Sequence, residues 1–385
     1  MSINKENMIN GLFVHDHIFL KFNGKYYSNG KLTYNQLKYY LNYCDALTVV
    51  GRFREVGYDP GDALKAGGEN ITILGMAGIL SLSGLIDHFK IKKNLRFLIE
   101  KSDFVISRVP SEYGLMASQI CRKTRVPNLV EMVASPFDCL WYRGDIFAKC
   151  YAPVLRLRTR YELKLSDFVI YVTKKYLQKH YPTQGAQIGV SDAVVRVEST
   201  SKKLTDNKNV KIGVIGNPAL KLKGIDVLYS AVTTTRRNYP NANIELHIIG
   251  GGLDSDIEIK LSNESFVIQH GFIGCKNKLY EVLDSLDIYV QPSFTEGLPR
   301  SVIEAMSRGV PSLGSDVGGI PEIVNSRLLF PAGDSKKLAV MLSNLITQHE
   351  FYTEMSEYSI RKALSFNDDA QNMKNNFIRN FSQQN

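Results

Sequence analysis

Glu296 and Glu304 stand on either side of a Gly-Leu-Pro-Arg turn, in the stretch S-F-T-E-G-L-P-R-S-V-I-E-A-M-S-R-G-V-P that begins at Ser293. Carboxylates accept hydrogen bonds from hydroxyl groups, and the backbone N–H groups that open a helix attract anions. Pro299 suits a first helical position, where its missing N–H would be unpaired anyway. Gly309 and Pro311 end the helix. The apolar run Ile288-Tyr289-Val290 comes just before the turn. The order is therefore buried strand, glycine turn, helix, and that is where an α/β sheet binds phosphates.

Other residues of the same chemistry lie upstream. Gly213-Val214-Ile215-Gly216 ends a strand, Asn217 follows, and Lys221, Lys223 and Gly224 lead into an amphipathic segment from Ile225. A lysine there either neutralises a diphosphate at the positive end of a helix or is a solvated loop residue. Ile248-Ile249 runs into Gly250-Gly251-Gly252, where glycine permits close backbone approach. Gln269-His270-Gly271-Phe272-Ile273 ends a further strand at which a planar base could lie against main-chain groups, with His270 read as structural. Near the N-terminus, His15-Asp16-His17 puts two imidazoles on one face if the segment is a strand. No second ligand cluster completes a metal site, so these residues are read as acceptor-side or structural. Trp141, Tyr142 and Arg143 are candidates to line the same cleft, or plain surface or core aromatics.

The elements that must position these residues read as alternating strands and helices. A polar pair followed by an apolar run recurs at 102–106, 166–170 and 286–290. Continuous apolar runs between helices mark parallel strands buried on both faces. Further strands are expected at 47–50, 129–133, 211–215, 244–249 and 266–269. Helices are expected at 32–44, 113–123, 161–165, 225–239, 279–285 and 336–347. This alternation predicts doubly wound α/β sheets. The polar stretch 199–209 is the best boundary between halves. The expected units are 1–190, 191–366 and a C-terminal helix at 367–385 that crosses back onto the first unit.

The 47 basic residues against 38 acidic ones leave a net charge of +9. That balance favours anionic partners such as nucleotides, phosphates or an anionic membrane surface. No nucleic-acid motif accompanies it, so no nucleic-acid partner is expected. Five widely spaced cysteines without C-x-x-C argue for a reducing compartment. The run 71–86 is shorter than the roughly 20 residues a spanning helix needs and reads as strand, loop and helix start. No secretory pattern is read at the N-terminus.

With these residues assembled, the chain resembles the retaining glycosyltransferases of family 4, which have the GT-B fold of two Rossmann-like domains facing across a cleft. The matching pieces occur in the family's order. They are Gly213–Gly216 with Lys223-Gly224, Gly250–Gly252, Gly271-Phe272, Asp287 to Ser293, the E-x7-E pair Glu296 and Glu304, and Gly318-Gly319-Ile320-Pro321-Glu322. The resemblance implies that Glu296 contacts the donor sugar and acts as the catalytic carboxylate. It implies Gly297 and Leu298 as backbone donors to the diphosphate, Glu304 as partner of the ribose and Lys223 as the diphosphate's counter-charge. Gly216, Asn217, Lys221, Gly251, Phe272, Ile273 and Arg300 complete the implied donor site. His15, Asp16, Trp141 and Arg143 are placed on the acceptor side. Neither metal nor cofactor is implied beyond the nucleotide-sugar.

Two departures stand out. Where the family carries an arginine after the strand-end glycine, this chain has Asn217, and Lys221 or Arg300 would have to replace it. In the first half no glycine-rich loop is evident, and the family's acceptor-side histidine is not identifiable around 131–136. The resulting expectation is a sugar-nucleotide-dependent retaining transferase, cytoplasmic and at the inner face of the membrane. It would act on a glycan or lipid-linked acceptor in capsule, exopolysaccharide or O-antigen assembly. A GT-B epimerase or phosphorylase and a non-catalytic nucleotide-sugar binder are the alternatives. Two close carboxylates also suit a glycosidase, but a diphosphate leaving group demands no general acid.

Overall fold

The computed structural model describes residues 8–28, 32–61, 64–76, 82–142, 145–191, 193, 195–197, 200–204, 209–251, 256–366 and 368–383. Arg143, Gly252 and much of the polar stretch 199–209 fall outside the described residues.

The first half contains β1 (Asn10–Phe22), β2 (Lys25–Tyr27), α1 (Tyr34–Leu37), β3 (Ala46–Glu55), β4 (Ile71–Met76), α2 (Leu82–Glu100) and β5 (Phe104–Val109). It continues with α3 (Glu112–Thr124), β6 (Asn128–Met132), α4 (Pro136–Trp141), α5 (Ile146–Lys164), β7 (Phe168–Tyr171), α6 (Tyr176–His180) and β8 (Ala186–Gly189). Its sheet has the order β4-β3-β1-β5-β6-β7-β8, with β2 antiparallel on β1. The other pairings are parallel. Successive residues Leu12, Phe13 and Val14 are all fully buried, so β1 is covered on both faces.

The second half contains β9 (Val210–Ile215), α7 (Ile225–Asn238), β10 (Ile244–Ile249), α8 (Asp256–Ser262), β11 (Val267–Gly271), α9 (Lys276–Ser285) and β12 (Ile288–Gln291). It ends with α10 (Arg300–Ser307), β13 (Ser312–Ser315), β14 (Leu329–Phe330), α11 (Ser335–Thr347), α12 (His349–Leu364) and α13 (Asp368–Gln383). This sheet is parallel throughout, in the order β11-β10-β9-β12-β13-β14. The order in which strands are added therefore switches sides once in each sheet, between β1 and β5 and between β9 and β12. Ligands of open α/β sheets bind at the carboxyl ends of strands at such switch points.

The recurring aspartates have a physical job. Asp103 accepts from Asn10 N–H at 2.6 Å, and Asp287 accepts from Lys211 N–H at 2.9 Å, each at the entry of a neighbouring strand. Asp45 does the same for Ile9 at 2.8 Å. Each carboxylate holds the register of the pairing that follows.

Two expected helices differ from those observed. The segment 32–44 yields only α1 and a 3-10 turn, Lys38–Asn42, after Leu32 takes a positive φ of 57°. The expected short helix at 161–165 is the end of the 19-residue α5. Pro153 lies inside α5, and the helix turns apolar residues outward, so its periodicity does not resemble that of a core helix. Helix α13 returns to the first half. Asn375 accepts from the hydroxyls of Tyr39 and Tyr43 at 2.8 Å each, and Phe377 and Phe381 pack on Phe168.

Candidate active site

The second sheet's switch point brings together residues 73 positions apart. After β9 the chain passes through the turn Lys221–Lys223 to Gly224, which has φ +62° and starts α7. A Cβ at Gly224 would run into the carbonyl oxygen of Pro292, just beyond β12. That close approach, with Phe294 N–H donating to Leu222 O at 2.8 Å, sets the lysine turn against the glutamate turn. Lys223 Nζ then lies 2.6 Å from Glu296 Oε1.

Glu296 Oε1 also accepts from Ser293 Oγ at 2.9 Å and Gln291 Nε2 at 3.1 Å. Gln291 is buried and is itself held, its Oε1 accepting from Tyr289 at 2.8 Å and Ser301 at 3.0 Å. Tyr289 in turn accepts from the Ile215 N–H at the end of β9 at 3.2 Å. Three donors thus converge on one carboxylate oxygen, and among the described residues none bonds Oε2. Gln291 and Ser293 were not singled out from sequence. The available signal was a polar residue closing the otherwise apolar run I-Y-V-Q.

Glu304 sits one helical turn beyond Arg300 on α10, mostly buried. Burial raises its carboxyl above the ordinary 4.5, against the pull of Arg300 and Lys276. A carboxyl held up by burial adds stability below its ordinary value and loses it as pH rises toward the folded value. Glu304→Gln is therefore expected to flatten the fall in Tm as pH rises above 4.5, read by a thermal melt series. An unchanged slope would show that Glu304 does not titrate in that window.

The strand-end glycines also meet. Gly216 N–H donates to Ile249 O at 2.9 Å, and Gly250 N–H donates to Gly271 O at 2.7 Å. Gly251, with φ +90°, comes next. Phe272 is exposed beyond β11, and Ile273 packs partly on the second core. His270 lies 3.0 Å from His247 and stacks on it, a structural pair rather than a free base. Asn217 turns inward on its own loop, its Oδ1 accepting from Ala219 N–H at 2.8 Å. Lys221 and Arg300 are both exposed.

Gly297 is one of the places where the halves touch. A Cβ there would run into the carbonyl oxygen of Val133, at the end of β6. Gly297 O accepts from Gly319 N–H at 2.8 Å. Glu322 of the same motif accepts from the N–H groups of Lys174, Lys175 and Tyr176 at 2.6, 3.0 and 2.7 Å, closing the cleft on a second side. Tyr142 stacks on Phe294 at 5.7 Å. Gly297→Ala is expected to force these turns apart and lower kcat about 10²-fold, the effect of a misplacement of about 1 Å. Tm should change little, because the contact lies between the two cores. Unchanged kcat would show that the contact does not position the site.

In the first half, a cavity of about 310 Å³ at the switch point between β1 and β5 is lined by His15, Asp16, Arg52, Glu112 and Tyr151, among others. Asp16 is engaged there: its carboxylate accepts from Glu112 N–H at 2.7 Å and Tyr113 N–H at 3.1 Å, fixing the start of α3. Burial pushes its carboxyl above the usual range despite those bonds. His15 Nδ1 lies 3.3 Å from Arg108 O and His17 Nε2 lies 2.8 Å from Ser28 Oγ, so the two imidazoles serve different partners. Glu112 accepts from Tyr151 at 2.6 Å and Arg158 at 2.9 Å. Trp141 is not among the lining residues; it stacks on Phe137, 42% exposed. Arg52, Glu112, Tyr151 and Arg158 were not singled out from sequence. They are far apart in the chain and share no spacing.

Residues 209–348 match the family described as "Glycosyl transferases group 1". The protein CapJ of Staphylococcus aureus is 34% identical over 349 residues, which cover 89% of this chain and 88% of CapJ. The chain belongs to the group 1 glycosyltransferases, family 4. This glycosyltransferase is also 26% identical to the O-antigen biosynthesis glycosyltransferase WbnH of Escherichia coli, over 58% of this chain and 62% of WbnH. Its fold is that of Anabaena HepE, solved in complex with UDP and glucose, at a TM-score of 0.67 and 13% identity, over 97% of this chain and all of HepE's. The two parallel α/β sheets are therefore the GT-B architecture expected from the sequence.

Proposed function

We propose that this glycosyltransferase moves a sugar, with retention of configuration, from a nucleotide-sugar to a hydroxyl group of a glycan or lipid-linked saccharide. We place the reaction in the cytoplasm, in capsule, exopolysaccharide or O-antigen assembly. The observation that carries the reading is the Lys223–Glu296 pair, held by Gln291 and Ser293 at the second sheet's switch point. WbnH, an O-antigen biosynthesis glycosyltransferase, points to surface polysaccharide, and the UDP and glucose held by HepE point to a UDP-sugar.

The site suits the charge that develops. As the anomeric carbon–oxygen bond breaks, its electron pair goes to the diphosphate oxygen and positive charge grows on the sugar. Lys223 and the N–H groups at Gly297 and Leu298 stabilise the first charge. Glu296, through Oε2, accepts from the sugar's hydroxyls and faces the second. The acceptor oxygen bonds the anomeric carbon on the face the diphosphate leaves, and its proton passes to the departing phosphate oxygen. The free nucleoside diphosphate is released. Glu304 accepts from the ribose, and the cavity of β1 and β5 receives the acceptor.

The test is incubation with UDP-, GDP- and dTDP-sugars and saccharide acceptors, reading released nucleoside diphosphate and the anomeric configuration of the product by NMR. Donor-dependent release with retained configuration is expected. Tight nucleotide binding without release would instead select the non-catalytic reading, which Asn217 in place of the family's arginine favours.

A further inference from the structure

We infer that the outward face of α5 seats the protein on an anionic lipid bilayer. A helix on a protein surface ordinarily turns charge to water and apolar residues to the core. Helix α5 turns apolar groups both ways. Ala148, Ala152, Leu155 and Leu163 are buried. On the opposite side, Ile146 is 71%, Phe147 83%, Val154 47% and Leu157 68% exposed, and Tyr161 continues the line. Phe147, Val154, Leu157 and Tyr161 follow at spacings of seven, three and four residues, whole turns of the helix, so with Ile146 they form one stripe along a helix roughly 28 Å long.

The charges flanking the stripe identify the surface it fits. Lys149, Arg160 and Lys164 are exposed beside it, and Arg156 is half-buried. The only carboxylate on α5, Glu162, is buried and bound to Arg122 at 3.1 Å. An apolar stripe edged by basic residues and free of exposed acid is the pattern of a helix lying in a membrane interface. Trp141, with Lys149 5.9 Å from its ring, adds an aromatic residue of the kind that settles at lipid headgroups. The exposed rings of Phe89 and Phe97 on α2 stand among Lys90, Lys92 and Lys93, and α3 packs against both α2 and α5. Among the described residues no helix is long and apolar enough to cross a membrane.

The placement has a consequence for the acceptor. The inward face of α5 supplies Tyr151 and Leu155 to the cavity at the first sheet's switch point. A helix with one face on lipid and the other on the cavity would present that cavity to a saccharide whose anchor stays in the bilayer. This link rests on the transferase reading above; the bilayer contact itself does not.

Co-sedimentation of the full chain with phosphatidylcholine vesicles, with and without about a third phosphatidylglycerol, tests the inference. Binding is expected to the anionic vesicles, weakened by salt and much weaker on phosphatidylcholine alone. The double substitution Phe147→Ser with Leu157→Ser should reduce that binding at least tenfold without lowering Tm, because both side chains already face solvent. Val340→Ser, an exposed apolar residue of α11, should leave it unchanged. Undiminished vesicle binding by the double variant would overturn the proposal, as would no binding by the wild type. Sedimentation velocity distinguishes the rival occupant: a dimer lost on the double substitution, without vesicle binding, would assign the face to a second copy of the chain. If vesicles bind as expected but no donor is turned over, the bilayer contact stands and the transferase reading falls.

Discussion

Glu296→Ala is expected to lower kcat for sugar transfer about 10²–10³-fold while changing affinity for free nucleoside diphosphate less than about threefold. The asymmetry follows from where the carboxylate sits. Its Oε1 is held by Lys223, Ser293 and Gln291, so the group is pre-positioned and needs no reorganisation as charge develops. The proposed contacts of Oε2 are to the sugar, which a free nucleotide lacks. Removing the carboxylate also frees Lys223 for the diphosphate, so nucleotide affinity has no reason to fall. Single-turnover kinetics beside calorimetry with UDP and GDP reads both quantities. Nucleotide affinity lost as severely as turnover would remove Glu296 from the sugar and place it on the nucleotide.

The second large effect falls on Lys223. Lys223→Ala is expected to weaken a nucleoside diphosphate about 10- to 100-fold and the bare nucleoside hardly at all, as for loss of a charge-assisted hydrogen bond of about 1.5–3 kcal/mol. The contrast between the two ligands is what matters, because a general distortion of the site would weaken both. The fold should survive, since Ser293 and Gln291 still satisfy Glu296. The two residues touch, so their effects on kcat should not add: Lys223→Ala combined with Glu296→Ala should cost less than the product of the single losses. Equal losses for nucleoside and nucleoside diphosphate would move Lys223 away from the phosphates.

The second half was the more legible in the sequence because its site is built from short-range features. A strand, a glycine and a helix start lie within a few residues of one another at Gly216, at Gly250 and at Gly297. Backbone sterics at a glycine and the periodicity of a buried strand are local properties, readable without knowing the neighbours. The first half resisted because its cavity is built from single residues carried by separate strands and helices. Asp16 appeared as an acceptor candidate; in the structure its carboxylate fixes the start of α3. Glu112, Tyr151 and Arg158 form one network, yet no spacing connects them. Helix α5 was foreshortened for a related reason. Periodicity identifies a helix by its apolar side, and α5 has apolar residues on two sides.

Composition and local pattern by themselves determined that this chain forms parallel α/β layers, and that a buried strand, a glycine turn and a helix start follow one another through Glu296 and Glu304. Only tertiary structure decided what those glutamates touch. The approach of Gly224 to the Pro292 carbonyl brings Lys223 onto Glu296, and Val133 packs a strand end of the other half against Gly297. Contacts of that kind depend on the order of strands in a sheet and on how two sheets face each other. Neither is encoded within the few residues over which propensity and periodicity act.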